Sequence, residues 1–320
     1  MPGAADGERY RFVVDEVGFD FRGLADDELT GHLDAFNDML DEVLRRYPVG
    51  ASPWWSETEC ADGHEMWRFL YEREGPYAVS PDVRRRLALL MDRCSTWDSG
   101  AARLPDRVEV AGSELEAAWS VGYAMHRAWA GHATACLVLP AADRSGWLAV
   151  TCEEGGADVF FLSGAPGITH FWRGTFRRED VPESVFFDRA REAFPELEFA
   201  PGLTFRKFDG TYREMREWVV DVLGVLNDHF AGALAAHSGQ PQAVQAELGR
   251  FGLDLSPESP NTRGKPRIMR QRKVEHEGQT YDCEWHAKKE RHRNRVHFTL
   301  PEQRLGGRIL VGIFTDHLDT

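Results

Sequence analysis

Tyr281-Asp-Cys-Glu-Trp-His-Ala-Lys288 and Arg295-Val-His-Phe-Thr-Leu300 are the two runs on which the fold can be read. In the first, Tyr281, Cys283, Trp285 and Ala287 alternate with Asp282, Glu284, His286 and Lys288. In the second, Val296, Phe298 and Leu300 alternate with Arg295, His297 and Thr299. A period of two marks half-buried strands. Lys289-Glu-Arg-His-Arg-Asn294 between them is too charged for a core, so the pair predicts a hairpin. Both apolar sets must face one side, because a slip of one residue would turn one of them into solvent. Pairing Lys288 with Arg295 meets that condition. It sets Trp285 opposite Phe298, Cys283 opposite Leu300 and His286 opposite His297. Directly opposed side chains lie about 4.5–5.5 Å apart at Cβ. Lys288 and Arg295 at that distance repel unless an anion binds between them.

Working outward, Arg308-Ile-Leu-Val-Gly-Ile-Phe314 is apolar on both faces and reads as an interior strand, with Gly306-Gly307 as the turn before it. Upstream, Arg263, Lys265, Arg267, Arg270, Arg272 and Lys273 form a cationic arm. Arg267, Arg270, Arg272 and Lys273, with Arg291 and Arg293 of the hairpin loop, are the expected nucleic-acid contacts, since arginine suits phosphate. Ser256–Pro266 holds three prolines and a glycine and reads as linker or loop. A short helix is expected at 243–251, and the small, polar Ala231–Gln242 reads as a hinge. The boundary therefore falls within 232–262, and we divide the chain into a body, 1–240, and a β-rich module, 241–320.

The body mixes element types. An extended start at Tyr10–Phe21 precedes a helix from Asp26, whose Leu29, Leu33, Phe36, Leu40, Val43 and Leu44 recur at helical spacing. Ser80-Pro81 opens a second helix striped by Val83, Leu87, Leu90, Met91 and Cys94. A strand at 107–111 and a helix at 113–129 follow, then strands at 134–139, 147–152 and 158–163. Helices at 182–193 and 212–229 flank an extended 197–208. The expected class is α+β: a mixed α/β acidic body followed by a small antiparallel β-sheet module.

Charge divides unevenly. The chain carries −14, but residues 261–320 hold 13 Lys+Arg and 8 Asp+Glu. The body should repel nucleic acid and engage a protein partner, while the module attracts polyanions. The five cysteines are scattered without a CxxC pair, which points to a reducing compartment and no zinc site. No apolar run approaches 18 residues, so no spanning helix and no membrane contact are expected. The N-terminus lacks the apolar core of a signal peptide, so a cytoplasmic location is expected. Nucleotide, dinucleotide, EF-hand and hydrolase-elbow motifs are absent, and no cofactor or metal is expected.

The order of a short helix, a basic stretch, Glu-Trp-His-Ala-Lys, Asn-Arg-Val-His-Phe and Arg-Ile-Leu-Val-Gly-Ile-Phe resembles the C-terminal half of the RelE/HigB-like toxin family. The resemblance covers residues 243–320. It implies a metal-independent endoribonuclease acting on RNA or the ribosome, in a toxin–antitoxin setting; the two-part layout separately resembles bacterial defence proteins in which a large domain controls a toxic one, so regulation by the body and a phage-defence role are expected. In that reading His286 and His297 transfer protons, as imidazole does near neutral pH, and Lys288 and Arg295 hold phosphate. The alternative is a non-catalytic protein-interaction or nucleic-acid-binding protein. A metal-dependent nuclease using Asp282, Glu284 and Lys288 ranks last, because one strand would supply all its ligands.

Overall fold

The computed structural model describes residues 10–72, 74–98 and 103–319; the N-terminal stretch read for a signal peptide lies outside them. The class is α+β. The chain forms two compact units, one up to Asp180 and one from Val181.

In the first unit, β1 (Phe12–Val14), α1 (Asp26–Arg46) and β2 (Val49–Ala51) begin a mixed sheet. The hairpin β3 (Glu59–Ala61)/β4 (His64–Glu65) and helices α2 (Met66–Tyr71) and α3 (Pro81–Met91) follow, then β5 (Ser95–Thr96), β6 (Val108–Val110) and β7 (Ser113–Leu115). Next come α4 (Trp119–Trp129), β8 (Ala135–Leu137), β9 (Gly146–Cys152), β10 (Gly155–Leu162) and α5 (Gly167–Arg178). The sheet order is β5-β2-β1-β8-β10-β9-β6-β7, with the first five strands parallel. β1 and β8 are buried along their whole length, which is why Phe-Val-Val and Ala-Cys-Leu show no alternation. The helix expected over 113–129 is split: 113–115 pairs with β6, and the helix starts only at Trp119.

In the second unit, α6 (Glu183–Ala193) and β11 (Leu197–Phe199) precede α7 (Tyr212–Val225). Thr211 and Glu214 close a reciprocal capping box at the start of α7. A π segment, Leu226–Phe230, carries α7 directly into α8 (Ala231–Ala236). The expected hinge at 231–242 is therefore helical for half its length, because alanine is the strongest helix former. The chain breaks at Ser238-Gly239, both at positive φ, before Pro241 opens α9 (Pro241–Gly249). β12 (Asp254–Pro257), α10 (Pro260–Arg263), α11 (Pro266–Met269) and the hairpin β13 (Lys273–His276)/β14 (Gln279–Asp282) come next. β15 (Trp285–Glu290), β16 (Arg293–Phe298) and β17 (Ile309–Thr315) complete the chain.

The main sheet of this unit runs β11-β17-β16-β15-β12. β12, β15, β16 and β17 are antiparallel neighbours, and β11 joins β17 in parallel. The hairpin register is the expected one, with Trp285 opposite Phe298, His286 opposite His297 and Lys288 opposite Arg295. Phe230 of the π segment packs 5.1 Å from the rings of both Trp285 and Phe298. By length and composition, the 25-residue helix Tyr212–Ala236 is apolar enough to cross a membrane, with a mean hydropathy of 1.3. No such helix was expected from the sequence. Its Val219, Val222, Leu223, Leu226 and Phe230 are core residues here.

Three further expectations change. The boundary lies at 180/181 rather than 240/241, because β11 and α7 belong with the C-terminal sheet. The unit so defined holds 20 Lys+Arg and 21 Asp+Glu, so the basic C-terminal segment is balanced within its own unit. The 256–266 stretch is not linker: it contains the end of β12, an edge strand where Pro257 costs no ladder bond, and α10, capped by Ser259. Cys283 is not opposite Leu300. The strand restarts at Trp285, and the Cys283 amide donates to Arg272 O at 2.9 Å. Tyr281 instead joins Ala200, Leu305 and Leu310 in a second small core.

Candidate functional site

The face of β15 and β16 that alternation assigned to solvent is buried. His286 is 4% exposed and His297 0%, with their ring centroids 5.0 Å apart. β12 places Ser256 opposite His286, with Ser256 Oγ 3.4 Å from His286 Nε2. Just beyond β12, Glu258 is anchored by its amide donating to Glu284 O at 2.8 Å. Its Oε1 lies 3.4 Å from His286 Nδ1 and 3.9 Å from His297 Nδ1. Arg272, fully buried after α11, donates from Nε to the same Oε1 at 2.7 Å. The Arg272 Nη groups donate to Ile268 O and Asp319 O.

Burial pushes the Glu258 carboxyl up, but the contacts of His286 and Arg272 outweigh it and hold the group at about 2. Burial lowers His286, with Glu258 opposing the shift. Burial, then the neighbouring His286, holds His297 well below its ordinary value. Both imidazoles are therefore neutral at neutral pH, and a general acid needs a proton to give. Neither ring nitrogen of His297 has a hydrogen-bond partner, nor does His286 Nδ1 or Arg295 Nε.

The four residues expected to be catalytic do converge on one face, but that face is not an open cleft. His286, His297 and Arg295 are buried. Lys288 is half-buried, 3.7 Å from Asp254. Asp254, directly opposite Lys288 on β12, offsets the Lys288–Arg295 repulsion without a bound anion. The six expected nucleic-acid contacts divide. Arg272 is buried and engaged with Glu258, and Arg293 is paired with Asp209 and Glu290. Lys273 is exposed and lies 3.1 Å from Asp282. Arg267, Arg270 and Arg291 are exposed. Asp282 and Glu284, the carboxylates of the metal-nuclease alternative, face Lys273 and Arg263 instead.

Glu258 was missed. It stands in Ser-Pro-Glu-Ser-Pro, where no periodicity marks a face, and only the pairing of β12 with β15 brings it to the histidines. A second missed cluster lies in the first unit, where the chain leaves β1. Asp15 and Glu16 are buried there, Asp15 3.0 Å from Arg144, and Glu16 Oε1 accepts from the Ser120 amide at 2.8 Å. Compared with known proteins, the chain matches no protein-family model, no curated protein and no solved structure, so the toxin-family resemblance rests on the quoted residues alone.

Proposed function

We propose that the second unit binds single-stranded RNA through an exposed groove lined by two lysines, and that it does so without cleaving it. The observation that carries this reading is a groove of about 600 Å³ whose charged lining is Lys207, Lys273 and Glu275, with Gln271 and Thr315 beside them. Lys207 is exposed, and the exposed Arg270 adjoins Gln271 in the chain. The Lys273–Asp282 pair is solvent-exposed, and such pairs hold a lysine only weakly, so phosphate competes for it. The buried, neutral histidines argue against proton transfer at this surface.

The test uses the full-length chain and a labelled single-stranded RNA, with anisotropy measured across a salt series. Replacing Lys207, Arg270 and Lys273 together by alanine should weaken binding. It should also flatten the log K against log salt slope by about 0.7 for each phosphate that is no longer neutralised. No binding at low salt, or an unchanged slope in the triple variant, would refute the groove. Incubated RNA should stay intact. Cleavage that disappears in His297→Ala would restore the endoribonuclease reading.

A further inference from the structure

We propose that Glu258, His286 and His297 form a binding site for one divalent transition-metal ion, with zinc the best-matched. The site is separate from the RNA groove and does not depend on it. No metal was expected from the sequence. The difference arises because the three ligands come from separate segments that only the sheet assembles.

The ligand atoms of the three residues all lie within 4.8 Å of one another. Ligands bound at about 2.1 Å around a tetrahedral zinc stand roughly 3.4 Å apart. The His286 Nδ1 to Glu258 Oε1 distance is 3.4 Å, and the His297 Nδ1 to Glu258 Oε1 distance is 3.9 Å. The two imidazole donors lie within 4.8 Å of each other, so closing the tetrahedral geometry asks the ligand atoms to approach by up to about 1.4 Å. Two of the ligands sit on paired β-strands and the third immediately follows one.

An independent observation points the same way. His297 is fully buried, yet neither of its ring nitrogens has a hydrogen-bond partner. Buried polar groups are nearly always satisfied, so an orphaned imidazole asks what it faces. His286 adds a second argument. Its Nε2 lies 3.4 Å from Ser256 Oγ and its Nδ1 3.4 Å from Glu258 Oε1, and in the tautomer that carries the proton on Nε2 the Nδ1 lone pair is free for a metal ion.

The surroundings match what ligands require. Metal-bound carboxylates are hydrogen-bonded in turn, and Arg272 Nε holds Glu258 at 2.7 Å. A histidine ligand commonly uses its other nitrogen to fix its ring, as Ser256 does for His286. Two imidazoles and one carboxylate suit zinc, iron or cobalt. Calcium and magnesium prefer oxygen-only sets. The added positive charge falls beside Arg272 and Arg295. Glu258 offsets it directly, and Asp254 and Asp316 act on Arg295.

The test uses full-length protein, chelator-stripped and dialysed. Zinc is added under calorimetry, and cobalt is followed by visible absorption. One equivalent of zinc should bind, and cobalt should give the intense bands of a low-coordinate nitrogen and oxygen site. His297→Ala and Glu258→Gln should each weaken zinc binding by at least about a hundredfold, the upper range for losing even a supporting partner. If either variant fails to fold, wild-type protein labelled at histidine nitrogens decides the matter. The first equivalent of zinc should then shift two of the 12 histidines. Folded wild type that takes up no metal overturns the proposal. So do folded variants that keep full affinity, or shifts confined to histidines other than these two.

Discussion

Glu16 sits two residues past the end of β1, buried beside Asp15. Burial, with the Asp15 charge adding to it, raises its carboxyl from 4.5 to about 8. The folded state therefore holds a proton at neutral pH that the unfolded state has released. The corresponding stability is complete below about 4.5 and is lost as pH rises through 8. Glu16→Gln keeps the neutral form at every pH. Relative to wild type, the variant should gain on the order of a few kcal/mol between pH 5 and pH 9. Thermal unfolding midpoints across that range measure it, and a constant wild-type-to-variant difference would refute the assignment. Glu258 has the opposite sign: its contribution is present above 4.5 and fades as pH falls toward 2.

At the level of elements, β17 and the turn into β15 touch at one point that tolerates no side chain. A Cβ on Gly312 would stand 2.3 Å from Cys283 Sγ and 3.0 Å from Val274 Cγ2. Glycine is needed there for close approach: the β13/β14 hairpin packs over β17, and together they enclose the small core containing Tyr281 and Leu310. Gly312→Ala should destabilise the second unit by about 1–3 kcal/mol, the usual cost of overpacking. Adding Cys283→Ala removes the closer atom and should recover part of that loss. A double-mutant cycle in denaturant reads the coupling, and purely additive effects would show that the contact is not tight. Simple alternation fails one strand further on. On β15 and β16 the buried Glu258 and Arg272 lie over the second face, so His286 and His297 are covered although their spacing predicted solvent.

For the whole molecule, each unit has its own sheet, and the acidic excess belongs to the first, which carries 18 Lys+Arg against 31 Asp+Glu. Residues 181–320 retain β11, α7 and Phe230 together with the strands they support. Expressed alone, this piece should fold with a cooperative thermal transition. Residues 241–320 lack Phe230 between Trp285 and Phe298, and they leave β17 as an unpaired edge. That shorter piece should show no cooperative transition by circular dichroism. A sharp transition in residues 241–320 would return the boundary to the Ala231–Gln242 segment.

The sequence by itself determined the α+β class, the β15–β16 hairpin with its register, and the positions of α1, α3, α6 and α7. These features rest on local periodicity and capping, which a single segment carries whole. Lys288 opposite Arg295 was legible because one face of a strand must be apolar. The tertiary structure alone decided which face of that sheet would be covered, where the units divide, and that Glu258 joins the histidines. β11 meets β17 across more than a hundred residues, and β12 reaches β15 through a proline-rich stretch with no period. Such pairings depend on the shape of the assembled sheet. The charge state of His286 and His297 follows from that burial, and no spacing of residues in the chain encodes it.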